Sequence, residues 1–190
     1  SSNSYEKIVF IFDNGTMGDG TANFTFYVDN IVLSNTTSGG GGGGSSTGSS
    51  LLDFESATTW TDFDGGEMTT VTNPHNNADN NSANVGKMVK SAGQPWGGSW
   101  TQLASAPDFA NNNTLTVKVY SPRVGAKVLL KVENAAEPTI NFEKEVTTTK
   151  ANEWETLTFD YSSINSSNSY EKIVFIFDNG TMGDGTANFT

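Results

Sequence analysis

The 190-residue chain contains no cysteine, a single histidine, and only ten lysines and arginines against 21 acidic residues. The missing thiols exclude disulfides and thiolate metal sites. The lone His75 lies in the Asn-rich stretch NPHNNADNN, with no cysteine partner and no G-x-S-x-G motif in the chain. It is expected to be solvated rather than a base or ligand. A net charge of −11 argues against nucleic acid or an anionic membrane surface as partner. No run approaches the roughly 20 apolar residues of a membrane span. Charged residues make up only 16% of the chain, while Asn, Thr, Ser and Gly abound. Such a polar but weakly charged surface has the style of an extracellular β protein. No secretory leader is visible, so an extracellular or cell-surface setting rests on that style. The sequons at Asn35, Asn112 and Asn179 are of the kind an Asn/Thr-rich chain produces by chance.

What is present is a duplication. Residues 1–25, SSNSYEKIVFIFDNGTMGDGTANFT, recur letter for letter as 166–190, an offset of 166 − 1 = 165 residues. Fixed-period identity marks repeat architectures. Either the chain is a window on an array of near-identical modules, or one end has been duplicated by engineering. Ser34 to Ser50, SNTTSGGGGGGSSTGSS, has no apolar residue and reads as a flexible Gly/Ser-rich linker. The organisation is therefore 1–33 as the C-terminal strands of a preceding repeat, 34–50 as linker, and 51–190 as a module lacking its last strand. The segment FYVDNIVL at 26–33 occurs once and can supply that strand, from the same chain or a neighbour.

Beyond the linker, apolar residues alternate at period two between Gly, Pro and Asn clusters, the signature of strands. Strands are expected at 86–91, 99–104, 114–121, 126–133, 139–147, 154–160 and 171–178, followed by the FYVDNIVL strand. The fold class expected is all-β, an antiparallel β-sandwich of the jelly-roll kind with about eight strands.

The segments LLDFES (51–56), GKMVKSAGQPWGGSW (86–100), SPRVGAKVLLKVEN (121–134), NEWETLTFDYS (152–162) and YEKIVFIFDNGTMGDG, with FYVDNIVL, resemble extracellular carbohydrate-binding-module-like jelly rolls of Bacteroidetes type. That resemblance implies polysaccharide as a partner. It also implies a structural calcium, shared by an acidic residue of the opening strand and an Asp of the closing strand. The matching positions are Glu55, with Asp53, and Asp29. Calcium takes six to eight oxygen ligands, so carbonyls and Asn side chains would complete the shell. The alternative is that these carboxylates are solvated. The loop DNGTMGDGT at 178–186 lacks a bidentate Glu at the calcium-loop spacing and reads as a hairpin turn.

Sugars stack on exposed aromatic rings while amides and carboxylates bind their hydroxyls. GQPWGGSW places Trp96 and Trp100 around two glycines with Gln94 alongside, and Trp60 and Phe63 near Asp62 and Asp64 form a second candidate rim. Trp154 is expected in the core, as the resemblance implies. A glycosidase would need two carboxylates facing each other across a cleft. Glu133, Glu143 and Glu145 have no opposing acid, and the last two share one outward strand face. The chain is therefore expected not to be an enzyme. Two functions remain: a repeat module of a secreted fibre or adhesin, assembling with identical copies through its closing strand, or a carbohydrate-binding module tethering an enzyme or cell to polysaccharide.

Overall fold

The computed structural model describes residues 7–12, 14–18, 20, 24–35 and 48–168. Their eleven strands are β1 (Lys7–Phe12), β2 (Thr25–Ser34), β3 (Ser49–Leu52), β4 (Thr61–Phe63), β5 (Gly66–Thr72), β6 (Asn84–Lys90), β7 (Gly98–Gln102), β8 (Thr114–Tyr120), β9 (Lys127–Glu133), β10 (Asn141–Thr147) and β11 (Trp154–Asp160). They form two antiparallel sheets, β10-β9-β1-β7-β4 and β11-β8-β2-β6-β5, with β3 also on β2. The fold is the expected all-β sandwich, with more strands than the eight anticipated. The expected strand at 171–178 and turn at 178–186 lie outside the described residues. Among the described residues no helix is long and apolar enough to cross a membrane.

Period-two alternation fixes which faces meet. In β8, Leu115, Val117 and Val119 are buried in the shared core, and in β9 so are Val128, Leu130 and Val132. On β1 the core-facing residues are Ile8 and Phe10, with Phe10 opposite Leu130. Tyr161, just after β11, closes this side. Its hydroxyl donates to the Leu130 carbonyl at 2.7 Å and its ring meets Phe142 edge-on at 5.1 Å. Burial and the Glu143 charge raise its phenol well above the ordinary range.

The two strands that precede the linker sit inside the sandwich. β1 fills the gap between β9 and β7, and β2 fills the gap between β8 and β6. FYVDNIVL thus closes the sheet from within the same chain. β2 changes partner midway, pairing β6 through Thr25–Val28 and β3 through Ile31–Leu33. The break is a bulge at Asn30, whose φ is +49°. It upsets the strict alternation, so that Val28 and Asp29 are both fully buried.

Candidate functional site

The loop joining β6 to β7, residues 91–97, is built against the β4–β5 hairpin. Asp64 and Gly65 both adopt left-handed backbone (φ +50° and +95°), the tight two-residue turn that an Asp-Gly pair favours. The loop rests directly on this turn. Ser91 N–H donates to the Gly65 carbonyl at 2.8 Å and Gln94 N–H to the Asp64 carbonyl at 2.9 Å. The fit requires glycine at 97, because a Cβ there would lie 2.2 Å from the Asp64 oxygen. From beneath, the fully buried Lys90 donates its Nζ to the Pro95 carbonyl at 3.0 Å.

This support fixes Trp96. Its indole N–H donates to Asp64 Oδ2 at 2.9 Å, and the side chain stays half-buried at the surface. Trp96 and the Asp64 carboxylate are thus brought together by the 91–97 loop resting on the β4–β5 turn, with the Gln94 backbone bound to the same turn. That combination suits a sugar, whose C–H face stacks while its hydroxyls need both donors and acceptors.

The other two tryptophans do not join them. Trp100 pairs with Thr61 and Val9 on the outward face of its sheet, and the Lys7 ammonium lies 2.9 Å from its ring centroid. Trp60 stacks on the buried Phe54 at 5.9 Å, with the rings within 10° of parallel. Phe63 packs partly buried against the core. Asp62 is committed to the hairpin, accepting from Met68 N–H at 3.0 Å and from the Ser99 hydroxyl.

Trp154 is buried, as expected, at 2% exposure, though its partners lie on the outward face of its sheet. It belongs to the row Tyr27–Tyr120–Trp154, in register across β2, β8 and β11 on their outward face. One expectation needs correcting: His75 is partly covered rather than solvated, stacking on Tyr120 at 3.8 Å and 5° and meeting Tyr27 edge-on at 4.9 Å. Trp154 Nε1 donates to the His75 carbonyl at 2.9 Å. Burial lowers the imidazole pKa and raises that of Tyr27. Residues 73–83 are thus a folded cover on the sheet, held also by Lys118 donating to the Asp79 carbonyl. The parity of Tyr120 against Val117 and Val119 was a legible sign that it faces outward; nothing local pointed to His75 as its partner.

Asp29 lies under the same cover. Its oxygens accept from Asn30 N–H at 2.8 Å and Asn30 Nδ2 at 3.1 Å, and Asn30 Nδ2 also reaches Ser82 Oγ at 3.4 Å. Burial raises its pKa, opposed by hydrogen bonds from Ser82 and Asn80 and by the Lys118 charge. Glu55 approaches the far side of this segment, accepting from Ala83 N–H at 2.8 Å and from Asn84 N–H and Nδ2 at 3.2 Å each. Asp53 accepts from Glu55 N–H at 3.1 Å and shapes that turn. Among the described residues no three His, Cys, Asp or Glu side chains group as a metal site. Glu143 and Glu145 are exposed on one face of β10, as expected.

Residues 74–185, more than half of the chain, match the family described as carbohydrate binding module (family 35). The chain belongs to that family. Its modules are carbohydrate-binding units rather than catalytic ones. The match begins at the cover over the aromatic row, takes in the Trp96 loop, and continues past β11. It supports the carbohydrate-binding reading and not the fibre reading. No curated protein and no solved structure matches the chain.

Proposed function

We propose that this family 35 module is an extracellular, non-catalytic polysaccharide-binding unit whose binding surface is the 91–97 loop, with Trp96 as stacking platform and Gln94 and Asp64 as hydroxyl partners. The observation that carries the reading is the Trp96–Asp64 hydrogen bond, which holds a half-exposed indole in one orientation on a backbone-anchored loop. Pre-organisation of this kind lowers the ordering cost of binding. Native electrophoresis through gels containing soluble neutral and acidic polysaccharides tests it. At least one polymer should retard the chain, and uniform mobility across a broad panel would overturn the reading. Tandem repetition, which the 25-residue identity supports, is compatible with this role, because weak binders in series gain avidity.

Calcium is proposed as a structural ion at Asp29, with Glu55 and Asp53 across the 82–84 segment. The oxygens there suit a hard cation: the buried Asp29 carboxylate with the Ser82 hydroxyl beside it. A buried Asp29 carboxylate also costs stability at neutral pH, which a cation offsets. Millimolar calcium is expected to raise the melting temperature of the chelator-treated protein by about 5–10 °C at 100-fold saturation. Asp29→Asn should remove that increment while melting at or above the parent in chelator. An unchanged parent melting temperature on adding calcium would discard the ion.

A further inference from the structure

We infer that Lys90 is a positioning residue for Trp96: its buried ammonium, lying beneath the 91–97 loop, fixes the backbone from which the indole projects. The inference rests on the reading of that loop as the binding surface and names what presets it. Three observations carry it.

First, the lysine is an interior residue by strand parity. Met88 and Lys90 lie on the same side of β6, and both are fully buried. An apolar side chain would fill this place without desolvating a charge, which is costly unless the charge is hydrogen-bonded. Here the Lys90 Nζ donates to the Pro95 carbonyl at 3.0 Å. Charge-assisted hydrogen bonds are the strong ones, and the low dielectric of an interior strengthens them further.

Second, the stem of the lysine is gripped from another side. A Cβ on Gly18 would lie 2.2 Å from Lys90 Cγ and 2.0 Å from the Lys90 carbonyl oxygen. Gly20 N–H donates to that same carbonyl at 2.9 Å. The connection from β1 to β2 therefore presses on the lysine at residues 18 and 20, and the ammonium is aimed at the loop.

Third, the contact falls where Trp96 needs it. The β4–β5 turn holds the loop through the N–H groups of Ser91 and Gln94. Pro95 has no N–H to offer that turn, so its carbonyl is the available handle. Gly97 N–H in turn donates to the Gln94 carbonyl at 2.9 Å. The two peptide groups flanking the Trp96 Cα are thus each pinned by one hydrogen bond, the first from Lys90 and the second within the loop. The indole needs only to close on Asp64.

Solvent exchange of the Trp96 indole N–H, followed by NMR in the glycan-free protein, tests this. Its signal is the one missing from Trp96→Ala. Lys90→Met fills similar space without a donor, and should melt cooperatively within about 5 °C of the parent. Its Trp96 indole should exchange on the order of tenfold faster through local opening of the loop. The indoles of Trp60, Trp100 and Trp154 should keep their parental rates. Lys90→Arg retains a charged donor and should restore slow exchange. Affinity of Lys90→Met for a polysaccharide that retards the parent should fall about two- to tenfold, the cost of ordering one side chain on binding. Parental Trp96 exchange in a folded Lys90→Met would overturn the inference, whatever the protein binds. A Lys90→Met chain with no cooperative melt would overturn it too, because the lysine would then support the sheet rather than the loop. Failure of every polysaccharide to retard the parent would instead overturn the binding reading, and the exchange comparison would still decide the role of Lys90.

Discussion

Trp154→Ala is expected to destabilise the chain by about 3–5 kcal/mol, the usual cost of truncating a fully buried tryptophan. The side chain is 2% exposed, lies edge-on to Tyr120 at 5.6 Å, and holds the His75 carbonyl. Its removal opens a void beneath the 73–83 cover and frees that carbonyl. At a few degrees per kcal/mol for a chain of this size, thermal melts should show a loss on the order of 10 °C. The pH dependence should change as well. Burial depresses the His75 pKa below its ordinary 6.5, so the unfolded chain binds a proton that the folded chain resists. Stability therefore falls as pH drops below about 6.5 in the parent, and that fall should flatten in the variant. His75 is the only histidine, so its NMR titration reads this without ambiguity. An unshifted titration in Trp154→Ala would mean that the cover does not depend on Trp154.

Glu133→Ala is expected to be of similar severity. Lys131 and Glu133 project to the same side of β9 and form a 2.9 Å ion pair, with side chains 9% and 5% exposed. Removing one partner leaves the other charge desolvated, which costs about 3–5 kcal/mol. Replacing both, as Lys131→Met with Glu133→Leu, should recover most of the loss, because well-packed apolar residues often match a buried pair. Urea titrations of the single and double variants give both values. A single variant losing under about 1 kcal/mol would be the behaviour of a surface pair, and would show that water reaches this face. Exposed Glu143 and Glu145 beside it provide that comparison within one sheet.

The regular strands were legible because their alternation is strict. Val117 and Val119, or Val128, Leu130 and Val132, announce one buried face each, and 154–160 matches β11 residue for residue. The β4–β5 hairpin was missed because threonines and Glu67 mask its alternation, although the Asp64–Gly65 turn was a local signal. The bulge at Asn30 was not legible, so alternation alone could not place both Val28 and Asp29 inside. The site divides the same way. Trp96 and Gln94 stood out as aromatic and amide in a Pro/Gly turn, but Asp64 is 32 residues away, and only the hairpin brings it there. Trp60 and Trp100 looked like companions in sequence, but Trp60 stacks on Phe54 and Trp100 lies against the Lys7 ammonium. His75 was misread because its partners are distant in sequence: Tyr120 stacks on it, and Trp154, 79 positions away, holds its carbonyl.

The claim that the 91–97 loop binds glycan is tested most directly by isothermal titration of the parent and of Trp96→Ala with a polysaccharide that retards the parent. Melting curves are recorded alongside to confirm that the variant is folded. The structure predicts that the variant melts close to the parent and binds at least tenfold more weakly, since one stacked ring contributes more than about 1.4 kcal/mol. Equal affinity in a folded Trp96→Ala would contradict the assignment and move the binding surface off this loop.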